Sequence, residues 1–180
     1  MKYFTLITFL FMTYHESFSQ TYFPIDSVSK QISFKGVIIV DSTSKHVLFI
    51  RGNRWFAGEF RSSKNVIQFS DSVAGIIIGK GSIDVNWHVL GGVRPMGYVN
   101  FSFELAIKDN KYKYTINDFW HDGSSINSNS PGDLRIEKTG MSFNRGAWDE
   151  IKEETYQKIN SMISSLKKGM FDSTLEKSDW

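Results

Sequence analysis

N-V-I-Q-F-S-D-S-V-A-G-I-I-I-G-K-G-S-I-D-V-N-W, residues 65–87, holds two β-rich runs joined by a small-residue turn near Ser72–Gly75. In the second run Ile77, Ile83, Val85 and Trp87 share one face at period two, with Gly79 and Gly81 between them. Two glycines on one strand face leave a strip without Cβ atoms. The pattern therefore predicts that a helix or a large aromatic ring packs over that gap.

Downstream, H-V-L-G-G-V-R-P-M-G at His88–Gly97 reads as a glycine-rich loop whose Val, Leu and Met would pack down or meet a partner. From Val99 the alternation is strict. Val99, Phe101, Phe103, Leu105 and Ile107 face one way, and Asn100, Ser102, Glu104, Ala106 and Lys108 face the other. Asp109-Asn110 suits a two-residue primed turn with both residues at positive φ. That turn pairs Ile107 with Tyr112, Leu105 with Tyr114 and Phe103 with Ile116. Asp122–Gly146 is rich in Ser, Asn and Gly and reads as a long loop, a flap or a disordered stretch, with a short strand at Leu134–Lys138. Ala147–Met170 is a helix with Trp148, Ile151, Thr155, Ile159, Met162, Ile163, Leu166 and Met170 on one stripe, acidic at its start and capped by Gly169.

Upstream, Gln20–Lys30 is a polar lead-in expected to be poorly ordered. Ile32–Val40 is a strand whose V-I-I-V predicts burial on both faces. Capping residues at Asp41–Ser44 open a helix to Arg61, with Leu48, Phe49, Gly52, Trp55, Phe56 and Phe60 inward and Arg51, Arg54 and Arg61 pointing elsewhere. The order strand, helix, four strands, helix implies an α+β layer pair: an antiparallel sheet with both helices on one face.

Length and composition fit this reading. The chain has 180 residues, 41% hydrophobic and 22% charged, enough for one domain with a substantial core. Fifteen phenylalanines make aromatic rings the main filling, and the lack of cysteine excludes disulfides, thiolate nucleophiles and cysteine metal sites. Met1-Lys2 followed by the apolar Tyr3–Met12 and by Ser17-Phe18-Ser19 reads as a signal peptide over residues 1–19, cleaved near Ser19. The run is too short to cross a bilayer. The organisation is then lead-in 20–29, one domain 30–170 and a frayed tail 171–180. Removing Lys2 and Glu16 leaves the net charge of +2 unchanged, too small to imply a nucleic-acid or membrane partner.

With these elements placed, the sequence resembles domain-of-unknown-function family 4468. The resemblance rests on F-R-S-S-K-N-V-I-Q-F at Phe60–Phe69, A-G-I-I-I-G-K-G at Ala74–Gly81 and G-Y-V-N-F-S-F at Gly97–Phe103. It continues in K-Y-K-Y-T-I-N-D-F at Lys111–Phe119, W-D-E-I-K from Trp148 and S-L-K-K-G-M ending at Met170. It spans about Lys30 to Met170, except the loop from Asp122 to Gly146. It implies a TATA-binding-protein-like fold and an exported protein of Bacteroidetes-type bacteria, and it brings no activity and no catalytic residues.

The residues themselves supply little chemistry. Gly75–Ser82 has one residue too few between its glycines for a phosphate-binding loop, puts Gly81 where Ser or Thr should hold magnesium, and lies within a strand. His46, His88 and His121 are far apart, and only His121 has carboxylates near it, Asp118 and Asp122. No serine elbow occurs. Asp149–Glu154 reads as solvated helix-start charge. Asn100-Phe101-Ser102 matches a glycosylation acceptor that matters only in a eukaryotic secretory route. No catalytic residue, metal ligand or cofactor follows.

The expectation is thus an exported, non-enzymatic binding or structural domain of the bacterial cell envelope, with an envelope protein, peptide or glycan as partner and no nucleic acid. The alternative is a carrier of a small hydrophobic ligand in a cavity between the sheet and the C-terminal helix. On the helix-free face the lysines gather near the hairpin turn, and Phe119 is the one ring placed to act as a wedge.

Overall fold

A computed structural model describes residues 23–60, 66–123, 132–135 and 145–172. The elements are β1 (Phe34–Ile39), α1 (Lys45–Glu59), β2 (Ile67–Asp71), β3 (Ile76–Val89), β4 (Gly92–Lys108), β5 (Lys111–Asp122) and α2 (Arg145–Phe171). All neighbouring strands are antiparallel, in the order β1-β5-β4-β3-β2. Both helices lie on one face and bury one core against it. Among the described residues no helix is long and apolar enough to cross a membrane. Residues 1–22, the tail from residue 173 and most of the loop expected from Asp122 to Gly146 lie outside the described residues, so the signal peptide expected over 1–19 does too.

The glycine gap in β3 is filled as its spacing requires. A Cβ at Gly79 would stand 2.9 Å from the Phe56 ring, and one at Gly81 would stand 2.5 Å from Phe101 and 2.9 Å from Phe60. The rings of α1 therefore seat on bare backbone. Phe103, opposite Gly79, meets Trp55 and Phe56 with ring centroids 5.1 and 5.4 Å away. On α1, Gly52 performs the matching task, since a Cβ there would touch Ile77 and Leu105 at 3.2 and 3.3 Å. Gly58 has nothing within 4 Å of its Cβ position, so only its helix-weakening entropy remains. Gly58→Ala is expected to raise stability by roughly 0.5–1 kcal/mol in urea unfolding.

The hairpin has the expected register: Ile107 with Tyr112, Leu105 with Tyr114, Phe103 with Ile116. Its turn differs, because of the two turn residues only Asn110 takes positive φ, at 62°. Tertiary bonds account for that. The turn docks on the β1–α1 connection, where Asn110 accepts from Val40 N and Thr43 N, and Asp109 Oδ1 accepts from Lys45 N at 2.7 Å. Asp109 thus places a carboxylate at the N-terminus of α1, where the helix dipole favours it.

Several expectations are corrected. His88–Gly97 is not a loop: β3 runs to Val89 and β4 starts at Gly92, so Leu90-Gly91 is the tip of a long two-stranded arm. Gly91, at φ 98°, permits so tight a tip. V-I-I-V is not buried on both faces, because Val37 and Ile39 stand on the helix-free face of the sheet, where they are 62% and 63% exposed. Arg51 does not point away; it is 6% exposed, and its Nη1 donates to Met170 O at 2.8 Å, capping the C-terminal end of α2. Gly169 is no terminal cap either. It lies within α2 where Trp55 comes closest, 3.2 Å from its Cβ position.

The lead-in is ordered from Phe23. Asp26 accepts from Ser29 and Lys35, Ile25 bridges Ile32, and Phe23 packs edge-on to Phe34 and Tyr156. Leu134 is buried and, with Arg135, forms a turn rather than a strand; residues 136–138 lie outside the described residues.

Candidate functional site

Strand alternation decides what the helix-free face of the sheet displays. One row crosses the sheet as Lys35, Thr115, Glu104, Ile78 and Phe69, and the next as Val37, Lys113, Ala106 and Ile76. The hairpin centre is polar, as its alternation predicts. The flanking strands add apolar borders that the hairpin does not reveal: Val37 and Ile39 on one side, Ile76, Ile78 and Phe69 on the other. At the turn end Lys108 stands directly opposite Lys111, a like-charge pair that disfavours the hairpin.

Phe119 is not on this face. Asn100 pairs with Trp120 and Ser102 with Asn117, so Asp118 and Phe119 together oppose Phe101. Asp118 has φ 57°, and the bulge reverses the side-chain parity beyond it. Phe119 turns into the core, 5.7 Å from Phe34 and 6.0 Å from Phe101, while Trp120 faces outward at 56% exposure.

The edge of β1 is the second notable feature. Val40 N donates to Asn110 O on the β5 side, and Ser33 N donates to Pro24 O on the opposite side. Along a strand these directions alternate, so the backbone groups of Lys35, Val37 and Ile39 point away from β5. No described strand pairs with them there. Beside this edge a groove of about 310 Å³ separates β1 from α2, with Lys35, Tyr114, Ile163 and Lys167 among its walls. The Ser33 hydroxyl, also in its lining, has no hydrogen-bond partner among the described residues.

The carboxylates of Asp149–Glu154 are not simply solvated. Glu150 accepts from His88 N at 3.0 Å and contacts His88 Nδ1; Glu154 accepts from Asn86 N at 2.6 Å. Lys158 Nζ joins Glu154 at 2.9 Å and Asp84 O at 2.6 Å. Beyond Gly79, β3 has no partner in β2, so these side chains of α2 satisfy its edge instead. Burial would raise the Glu154 carboxyl, but hydrogen bonds from Lys158 and from Asn86 outweigh that and hold it below its ordinary range.

His121 is a core residue. It is 1% exposed, its Nε2 lies 2.7 Å from Met96 O, and its ring meets Trp148 edge-on at 5.5 Å. A carbonyl partner requires Nε2 to carry the proton. Burial lowers its pKa, only partly offset by the Met96 bond and the Asp122 charge. Asp118 sits on the exposed bulge, so Asp118, His121 and Asp122 form no shared cleft. Among the described residues no group of three or more His, Asp or Glu is placed to hold a metal ion. G-I-I-I-G-K-G-S lies within β3 and the turn before it, opening no helix.

His121 gives a pH dependence with a definite sign. The unfolded chain takes up the proton near pH 6.5, whereas the folded chain resists it to lower pH. Its contribution is present above that value and lost as pH falls toward the folded pKa. Glu154 acts in the same direction at more acid pH, below the ordinary carboxylate value. Melting temperature should therefore begin to fall below about pH 6.5, and His121→Gln should flatten that first decline while leaving the more acid one. Scanning calorimetry across this range checks it; an unchanged first decline in the variant would contradict it.

Phe101, Phe103, Trp148, Ile151, Ile159 and Leu166 are buried together in the one core under the helices. The groove beside β1 is open and partly polar. An open notch of about 900 Å³ at the far half of β3 is walled by Glu59, Phe60, Lys80, Asp84, Asn100 and Asp118 from both sheet faces.

Residues 34–122 match the family model described as a domain of unknown function (DUF4468) with TBP-like fold. No curated protein matches the chain. Among solved structures, a DUF4468 family protein from Bacteroides ovatus aligns with TM-score 0.58 at 15% identity, covering 82% of this chain and 91% of that one. A TBP-like protein from Parabacteroides distasonis aligns with TM-score 0.52 at 11% identity, covering 76% of this chain and 93% of that one. At these identities the likeness is one of fold. Through its residues 34–122 the chain belongs to the DUF4468 family, a domain of unknown function with a TBP-like fold.

Proposed function

We propose that this protein is an exported, non-enzymatic domain of the cell envelope that binds a protein or peptide through the uncovered side of its sheet. The observation that supports this reading is the helix-free face itself, where apolar borders at Val37, Ile39, Ile78 and Phe69 flank a polar hairpin with Lys108, Lys111 and Lys113 gathered at its turn end. Exposed apolar side chains beside charged ones offer a protein or peptide both area to bury and charge to select it. Nucleic acid is a poor partner for an exported chain of net charge +2, and a shared fold does not carry a shared ligand.

Photo-crosslinking in the cells that make the protein tests this reading. A photoreactive residue at Ala106, on the open face, should capture a discrete partner. The same residue at Ser161, on the exposed side of α2, should not. Equal capture from both positions, or none from Ala106, would overturn it. Export is checked separately by intact mass, which should place Gln20 first, open or cyclised; a chain that keeps Met1 would refute cleavage.

A further inference from the structure

We propose that the free edge of β1, from Lys35 to Ile39, takes an extended acidic peptide segment as an added strand. This deepens the binding reading above and rests on it. Three independent observations converge on this edge. The outward backbone groups of Lys35, Val37 and Ile39 form a short template with no strand beside it among the described residues. Strand addition draws its affinity from such a row and its selectivity from pockets for alternate side chains. The groove between β1 and α2 supplies that pocket: side chains of the added strand that point inward would enter beside Tyr114, Ile163 and Lys167.

Charge selects the partner. Lys108, Lys111 and Lys113 are exposed on the open face next to β1, with Lys113 opposite Val37 and Lys111 opposite Ile39. Lys167 and Lys168 are exposed at the end of α2. Of the nearby acids, Asp26 is engaged with Lys35 and Asp109 with the first turn of α1, which leaves Asp41 and Glu104 against these five lysines. Lys108 opposite Lys111 would be relieved by an anionic neighbour. The same lysines disfavour a second copy of this chain, which would bring an equal set against them. Among the described residues, backbone bonding of the lead-in reaches along the edge only to Ile32 and Ser33, at its start, and pairs with nothing from Lys35 to Ile39.

The test uses the chain from Gln20, labelled with ¹⁵N, and a short synthetic peptide alternating glutamate and valine. Titration should shift and protect the amides of Lys35, Val37 and Ile39, and a peptide with lysine for glutamate should bind at least roughly tenfold more weakly. Val37→Pro removes one outward N–H at a site where an edge strand tolerates proline, and should weaken binding roughly tenfold. If that variant unfolds, the pair Lys111→Glu with Lys113→Glu must give the weakening instead. Equal binding of both peptides, shifts confined to β2 or the arm tip, or no binding at millimolar peptide would each overturn strand addition. So would an edge already closed in the free protein, by residues upstream of Phe23 or by a second copy. If crosslinking from Ala106 still captures a partner, only strand addition falls; if capture fails while the peptide binds, only the envelope reading falls.

Discussion

Phe103→Ala should cost about 3–5 kcal/mol in urea unfolding, the largest loss expected from any single truncation discussed in this protein. Phe103 is fully buried, pairs with Gly79 on β3 and Ile116 on β5, and meets both Trp55 and Phe56 of α1. Removing it opens a cavity at the point where sheet and helix meet. Neither neighbour can collapse into it, since Phe56 already rests on Gly79. Domains of this kind carry roughly 5–15 kcal/mol in all, so the variant should sit near the limit of folding. A cost below about 1 kcal/mol would mean that α1 does not seat where described.

Gly81→Val should cost on the order of 1–3 kcal/mol, against the sign that strand propensity alone gives. Valine favours β structure, so a strand with open space above Gly81 would gain from it. Here a Cβ would lie 2.5 Å from Phe101 and 2.9 Å from Phe60, both rings held by further rings. Overpacking should therefore decide the outcome. Unchanged or raised stability in urea would refute the packing of rings over the glycine strip.

That strip was legible in the sequence because its cause is local: glycines recur on one face of one strand. The hairpin register was legible for the same reason, since Phe103, Leu105 and Ile107 repeat at period two up to Asp109-Asn110. The α2 stripe was legible because helical period and charge ends agree. What escaped depended on neighbours distant in the chain. Whether V-I-I-V is buried on both faces depends on what covers the sheet, and both helices pack on the other face from Val37 and Ile39. Arg51 looked like a surface residue until the C-terminal end of α2 came within its reach. Glu150 and Glu154 looked like ordinary helix-start charge because β2, being short, leaves β3 needing partners only in three dimensions. The bulge at Asp118 did carry a signal, an aspartate that tolerates positive φ before two aromatic residues, yet alternation alone put Phe119 on the wrong face.

The site was the least legible part. Lysines near the hairpin turn could be read from the hairpin, but their apolar borders come from β1, β2 and β3. The groove beside β1 joins residues more than a hundred positions apart, from Pro24 to Lys167. No motif announces such a surface.

Whether β1 presents an open edge is read most directly by amide hydrogen exchange along Phe34–Val40. In the free protein Gly36, Ile38 and Val40, which face β5, should be protected. Lys35, Val37 and Ile39 should exchange quickly and gain protection only when a partner is added. Uniform protection along the strand in the free protein would contradict an open edge, and with it the strand addition proposed for β1.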